Sequence, residues 1–99
     1  MPGAGRPAFD WDDANHVHIA RHGVAPAEAE QIVLGASLPL ESNERNGEIR
    51  HTELGETPEG RLLLVVWTWR RRRIRVVTAF PANRKWRAFW KRIKGEYDA

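Results

Sequence analysis

The chain has 99 residues, 16 of them Lys or Arg and 13 Asp or Glu, for a formal net charge of +3. It contains no cysteine, which excludes disulfides and thiolate metal sites. No apolar run approaches the ~20 residues of a membrane span and no signal peptide precedes the first predicted helix, so a reducing cytoplasm is the expected location. We expect a flexible N-terminal segment at residues 1–8 and one domain at residues 9–97.

Charge is distributed unevenly along the chain. Residues 1–60 carry four arginines against eleven acidic residues, whereas residues 61–99 carry twelve Lys or Arg against two acidic residues. A basic second half indicates a polyanion such as nucleic acid as its partner. Ion pairing between the two halves, or binding to an acidic protein, would also explain the distribution.

Two short helices are predicted first. An aspartate at position 10 or 12 can cap a helix that runs to about His22, with Gly23 as its left-handed stop. Pro26 suits the first position of a second helix, which Gly35 ends.

Four strands and a third helix follow. The first two strands are predicted at residues 37–41 and 48–54, with a polar turn at 42–47. The next two, at 61–69 and 73–80, form an antiparallel hairpin at the centre of the sheet, because the arginines between them are too few for a crossover. The last helix, from a cap at Asn83 to Gly95, has an apolar face at helical spacing. The order ααββββα predicts an α+β fold with an antiparallel four-stranded sheet packed with helices.

The hairpin tip and the last helix are candidate RNA-binding surfaces. Adjacent cations can grip phosphates, and basic residues beside tryptophans can hold single-stranded RNA by charge and stacking. A solvated tip and a solvated helix face are the alternatives. The candidate residues are Arg70, Arg71, Arg72, Arg73, Arg84, Lys85, Arg87 and Lys91.

A candidate catalytic set falls on the predicted strands and their edges. RNA cleavage through its own 2′-hydroxyl needs proton transfer and cations, and no metal. Glu48 or His51 could transfer protons, and Arg50, Arg61 and Arg75 could stabilise the phosphorane. If the five side chains converge on one sheet face they could form such a site, although cross-strand ion pairs produce similar sets.

Two histidines, His18 and His22, stand four apart on the first helix. This spacing is used for metal pairs, but Ile19 occupies the place where a metalloprotease has its glutamate. Packing under the helix, with ring nitrogens bonded to the backbone, is the favoured interpretation, and no cofactor or metal is expected.

Several short segments along the chain form a recognisable pattern. They are Phe-Asp-Trp-Asp (9–12), Asn-x-x-His-Ile-x-x-His-Gly-Val (15–24), Glu-x-Glu (28–30), Gly-Arg-Leu-Leu (60–63) and Ile-Arg-Val-Val-Thr-Ala (74–79). Together and in this order they resemble the BrnT-type toxins of type II toxin–antitoxin systems. The resemblance covers about residues 8–90. It implies a RelE-like fold, metal-free RNA cleavage that inhibits translation, and a ribbon-helix-helix antitoxin as partner, in a toxin–antitoxin hetero-oligomer or with the toxin as a homodimer. Its functional motifs fall on Arg61 and on the strand from Glu48 to Arg50.

The chain departs from this family pattern at its end. Phe80 follows Ala79 where the family usually has arginine, and a tryptophan-rich segment replaces a Glu-Arg pair leading to tyrosine. A phenylalanine cannot stabilise a phosphate, so either the surrounding arginines substitute or activity is reduced or lost. The expected function is therefore an endoribonuclease toxin. The alternatives are a non-catalytic relative that binds RNA or protein and a DNA-binding regulator.

Overall fold

A computed structural model describes residues 7–98, with side chains to residue 95. Its elements are α1 (Asp13–Ala20), α2 (Pro26–Leu34), β1 (Leu38–Arg45), β2 (Glu48–Glu56), β3 (Leu62–Arg70), β4 (Arg73–Pro81) and α3 (Arg84–Asp98). The strands form one antiparallel sheet in the order β1-β2-β3-β4. The predicted α+β class and element order are confirmed. In the described part of the chain no helix is long and apolar enough to cross a membrane.

Local capping chemistry sets the first two helices. Asp12 caps α1 and forms a reciprocal capping box with Asn15. The helix ends at Ala20, two residues before the predicted end. The N–H groups of His22 and Gly23 donate to carbonyls three residues earlier, which makes a tighter turn, and Gly23 then adopts φ +76°. Pro26 opens α2 as predicted, and a Cβ at Gly35 would lie 2.6 Å from a backbone oxygen, so glycine is required there.

The first hairpin differs from the prediction. β1 continues to Arg45 instead of ending at residue 41, and the turn contains only Asn46 and Gly47, at φ +52° and +83°. Positive φ at both positions is the signature of a type I′ turn, for which Asn-Gly is the favoured pair. Residues 42–45 belong to the strand although they are polar, because their side chains are exposed at the edge of the sheet.

The predicted central hairpin is only half correct. β3 lies inside the sheet, but β4 is an edge strand. Its outer edge is partly covered, because Phe9 bridges Ile74, and Ile74 exchanges hydrogen bonds with the backbone of Ala8 and Asp10. Most of the predicted flexible segment, residues 1–6, lies outside the described residues, whereas Ala8 is bonded to the sheet.

Side chains from α1 and from the turn after it also cover part of the β4 edge. The Asn15 amide donates to the carbonyl of Val76, and the His22 ring lies 3.1 Å from the carbonyl of Ala79. Asn15 is 96% buried yet fully used, since it also donates to the carbonyl of Asp10. Polar side chains of α1 and of the turn after it therefore satisfy backbone acceptors at the outer edge of β4, where the described residues provide no fifth strand.

The two faces of the sheet pack against different helices. On one face, Ile19 of α1 and Ile32 of α2 pack on buried residues of β3 and β4 such as Val65 and Val76. On the other, aromatic residues of α3 pack over Leu54 and Leu64. Asn83 caps α3 as predicted, but the helix passes Gly95 and continues to Asp98, because nothing at Gly95 requires a left-handed residue.

Candidate active site and nucleic-acid interface

One sheet face carries a cluster of charged residues beyond the part that α3 covers. Thr68 lies opposite Arg75 on β4 and, by continuation of the β2–β3 register, opposite Arg50. Directly opposed residues share a face. Two residues further along, Arg70 and Glu48 meet in an ion pair of 2.7 Å, which places them on this face as well. The sheet therefore brings together three of the predicted arginines and the predicted carboxylate.

The carboxylate of Glu48 is held by these cations. Arg70 donates to its Oε2 and Arg50 lies 3.8 Å from its Oε1. The hydrogen bond from Arg70, followed by the charges of Arg50 and Arg75, holds the pKa of Glu48 below its ordinary value. Glu48 is thus ionised at neutral pH.

Arg75 is fixed in place from the other side. Its guanidinium lies 3.1 Å from the Asp12 carboxylate and 3.4 Å from that of Asp10, and the side chain is only 13% exposed. The hydrogen bond to Arg75, with that from the Asn15 backbone, lowers the pKa of Asp12, and the same contact raises the pKa of Arg75. The α1 cap therefore also positions a cation of the site.

Arg50 retains an unused donor. Its Nε is buried and has no hydrogen-bond partner in the described part of the chain. Buried polar groups are seldom left unpaired, so an unused donor in a native structure calls for an explanation. A pocket of about 540 Å³ lies at this position, and its lining includes His18, Arg50, Arg70, Arg75 and Thr78.

His18 belongs to this pocket, which the sequence did not reveal. Its Nε2 lies 3.1 Å from the Thr78 hydroxyl, and its ring is 5.1 Å from that of His22. The prediction of backbone bonding is confirmed for His22, whereas His18 bonds to a side chain. No group of three or more potential metal ligands occurs among the described residues. The i, i+4 spacing was the available signal, but it does not show which strand faces the helix.

Two predicted catalytic residues lie elsewhere, so the five side chains do not all meet on one sheet face. His51 faces the opposite side of the sheet, where its ring lies 4.5 Å from that of Trp67. Arg61 precedes β3 at the end away from Arg70, and its Nη1 donates to both carboxylate oxygens of Glu28 at 2.7 Å. The backbone N–H of Ala25 and then Arg61 lower the pKa of Glu28.

The arginine tip has an unusual backbone. Arg71 and Arg72 adopt φ values of +52° and +68°, so they form a two-residue primed turn without glycine or asparagine. Left-handed arginines cost roughly 1–2 kcal/mol each. Such strain is typical of functional sites. Arg71, Arg72 and Arg73 are exposed and form no ion pair with the described residues, whereas Arg70 is bonded to Glu48.

The basic residues of α3 divide into two groups. Arg84 and Lys85 are exposed near its start, and the Lys85 ammonium lies 5.6 Å from the Trp86 ring centroid. Arg87 and Lys91 instead line a groove of about 760 Å³ that also contains Arg61. The helix thus presents cations both to open solvent and to a concave surface.

Phe80, which stands where the resembled family has arginine, belongs to the α3 core. It packs with Trp86, Phe89 and Trp90 against Leu64. The residue that departs from the pattern and the aromatic residues of the last helix therefore form one apolar cluster. Arg75 lies further along β4 on the same face of the sheet, with Thr78 between it and Phe80. Its guanidinium lies on the part of that face that α3 does not cover.

Comparison with known proteins gives one family match. The family model described as "Ribonuclease toxin, BrnT, of type II toxin-antitoxin system" matches residues 11–85, more than half of the 99-residue chain. Curated proteins give no significant match. The matched segment contains Glu48, Arg50, Arg70 and Arg75, and it ends within α3.

Proposed function

The chain belongs to the BrnT family of ribonuclease toxins of type II toxin–antitoxin systems, and on that basis we propose that it is a metal-independent endoribonuclease whose catalytic centre is the pocket beside Arg50, Arg70 and Arg75. Membership implies an RNA substrate and a protein antitoxin. The finer proposals are that the antitoxin is of the ribbon-helix-helix type, that cleavage inhibits translation, and that the toxin acts in the cytoplasm with a RelE-like fold.

The observation that carries this proposal is that three arginines, Arg50, Arg70 and Arg75, line one pocket, and that the Nε of Arg50 has no hydrogen-bond partner among the described residues. In the reaction the 2′-oxygen attacks phosphorus while the bond to the 5′-oxygen of the next nucleotide breaks, leaving a 2′,3′-cyclic phosphate and a 5′-hydroxyl. Negative charge accumulates on the non-bridging oxygens of the phosphorane. Donors already fixed around that position stabilise it without reorganisation.

Two side chains near the arginines can act as proton acceptor and proton donor in this reaction. Glu48 is ionised, so it can accept the proton of the 2′-hydroxyl. His18 lines the pocket with the arginines and can donate a proton to the departing 5′-oxygen. This assignment replaces His51 with His18, because His51 lies on the other face of the sheet.

The remaining predicted residues support binding in this proposal. Exposed cations at the hairpin tip and on α3 attract the RNA backbone and raise the local concentration of substrate. Arg61 and His51, which lie apart from the pocket, contribute to RNA contact and not to the bond-breaking step. The tip residues are Arg71, Arg72 and Arg73, and the helix residues are Arg84, Lys85, Arg87 and Lys91.

The test is cleavage of RNA by purified toxin freed of antitoxin. Arg50→Gln should keep the fold and lower the cleavage rate by about 10²–10³, the typical effect of losing one charge-stabilising donor. Arg21→Gln is the matched control, because Arg21 is exposed and does not line the pocket. A chelator should leave the rate unchanged, and the products should carry 2′,3′-cyclic phosphate ends.

Three results would contradict parts of this proposal. Wild-type toxin that cuts no RNA at micromolar concentration would favour a non-catalytic relative that binds RNA or protein. A rate that collapses with chelator would refute the metal-free mechanism. An Arg50→Gln variant with wild-type rate would move the catalytic centre away from this pocket.

A further inference from the structure

A second concave site lies between α3 and the start of β3. The groove of about 760 Å³ falls within the roughly 300–1,000 Å³ range of small-molecule sites. Its lining includes Leu62, Pro81 and the half-buried Trp90 of α3. The site is therefore large enough for a nucleotide and has an apolar surface for a base.

The charge of the groove favours an anion. Four cations contribute to its lining, namely Arg61, Arg87, Lys91 and Lys94, against the single carboxylate of Glu56. The Glu56 carboxylate lies 3.8 Å from the Lys94 ammonium in an exposed ion pair. Because such pairs are weak, a phosphate can readily replace this carboxylate. Lys91 forms no ion pair within the described part of the chain, so its ammonium is available to a ligand.

Arg61 is held ready for such a ligand. Glu28 occupies only its Nη1, at 2.7 Å, which leaves the other guanidinium nitrogens for further acceptors. The ion pair also fixes the guanidinium in position, so binding does not require it to be ordered. Arg87 is anchored in a similar way, because its Nε donates to the carbonyl of Ala82.

We propose that this groove is a nucleotide-binding site, with the base stacked on Trp90 and the phosphate held by Arg61, Arg87 and Lys91. The shared chemistry is a phosphorylated nucleoside, supplied either by the RNA strand or by a free nucleotide. An aromatic ring beside several cations is the arrangement that binds single-stranded nucleic acid by stacking and charge. The ring distinguishes this ligand from an acidic peptide, which needs only the cations.

The groove is separate from the proposed catalytic pocket. Arg61 immediately precedes β3 and Arg70 ends it, and the nine residue steps between them span roughly 30 Å at about 3.3 Å per residue. An RNA strand occupying both sites would therefore span several nucleotides. The RNA source rests on the proposed function, whereas binding of a free nucleotide does not.

Two adjacent residues of α3 provide a matched pair of variants. Lys91→Glu and Arg92→Glu make the same charge change one residue apart, but only Lys91 lines the groove. Binding is measured by calorimetry with adenosine 5′-monophosphate and by fluorescence anisotropy with a labelled, uncleavable 2′-O-methyl RNA octamer. Lys91→Glu should weaken either ligand by roughly tenfold or more, the effect of losing one charge-assisted contact, and Arg92→Glu by much less.

Trp90→Leu should weaken the same ligands by a similar factor, because the base loses its stacking surface, whereas Trp90→Phe should restore most of the affinity. Weakening of the octamer by Lys91→Glu, with no binding of the monophosphate, would identify the RNA strand as the source. Equal effects of Lys91→Glu and Arg92→Glu would overturn the nucleotide site. The same conclusion would follow if an octaglutamate peptide competed fully and Trp90→Leu left binding unchanged. Arg21→Gln, which lies outside both sites, should bind both ligands normally. Because these measurements report binding without cleavage, failure here is distinguishable from failure of the catalytic proposal.

Discussion

A single guanidinium joins the start of β3 to α2. Because Arg61 is bonded to both oxygens of Glu28, whose side chain is 21% exposed, its removal leaves a partly buried carboxylate without its partner. We expect Arg61→Ala to destabilise the fold by about 1 kcal/mol, a value reduced by the solvent exposure of Arg61. Thermal unfolding followed by circular dichroism should show a fall of about 4–8 °C.

A double-mutant cycle separates this pairing from other effects. If the ion pair is the cause, Glu28→Gln should cost much less in the Arg61→Ala background than in the wild type. Additive losses would show that Arg61 stabilises the protein by some other contact.

The sequence predicted residue types at the site better than their placement. Glu48, Arg50 and Arg75 were chosen because they fall on predicted strands, and the sheet places them near one another. His51 lies on the other face of the sheet, and His18, which lines the pocket, was not among the residues predicted for the site. The face of a strand residue depends on register, and register depends on partners that are distant in sequence.

At the scale of elements, α3 and Phe80 form one packing unit. The helix rests on the sheet through Trp86, Phe89 and Trp90, and Phe80 lies among them. Phe80→Arg, which would recreate the arginine of the family pattern, should therefore cost about 2 kcal/mol and loosen α3, because a charge enters an apolar cluster.

Phe80→Leu is the control, since it keeps an apolar side chain and should cost less than about 1.5 kcal/mol. Chemical denaturation gives both free energies of unfolding, and far-UV circular dichroism reports the helix. An arginine variant as stable as the leucine variant would show that α3 does not depend on Phe80.

The elements that could be predicted from the sequence are those marked by signals acting within a few residues. Pro26, Asn83 and the apolar runs of β3 and β4 marked their elements correctly because each signal acts within a few residues. The arginine turn could not be predicted, since left-handed arginines are stable only when the paired strands on both sides impose that backbone. The edge position of β4 likewise depends on the whole sheet.

Across the whole molecule, the acidic first half and the basic second half are joined by ion pairs. Five of the six salt bridges among the described residues cross between residues 7–60 and 61–95. Internal pairing therefore explains part of the charge asymmetry. Most of the cations at the hairpin tip and on α3 have no such partner, so they remain available to a polyanion.

These ion pairs predict a stability that depends on acid pH. The pKa values of Asp12, Glu28 and Glu48 are lowered in the fold from ordinary values of 3.8 for aspartate and 4.5 for glutamate. The unfolded chain therefore binds more protons in this range, and stability rises with pH. The contribution is complete above pH 4.5 and is lost as pH falls through the lower folded values.

Melting temperature measured across this range should show that loss. The Arg61→Ala variant should show a shallower dependence than the wild type, with some remaining because the Ala25 N–H also lowers the pKa of Glu28. A melting temperature that rises on acidification would contradict the assigned direction of these shifts.

The partly covered outer edge of β4 has a consequence for assembly. Residues 8–10, Asn15 and His22 occupy backbone groups of Ile74, Val76 and Ala79, whereas β1 exposes its outer edge along Leu38–Arg45. A sheet with two open edges can add copies indefinitely, but a sheet with one open edge can join only one other such edge. Edge-to-edge association of this protein is therefore expected through β1, as a closed pair related by a two-fold axis, and the contacts along β4 disfavour a fibre built by strand addition.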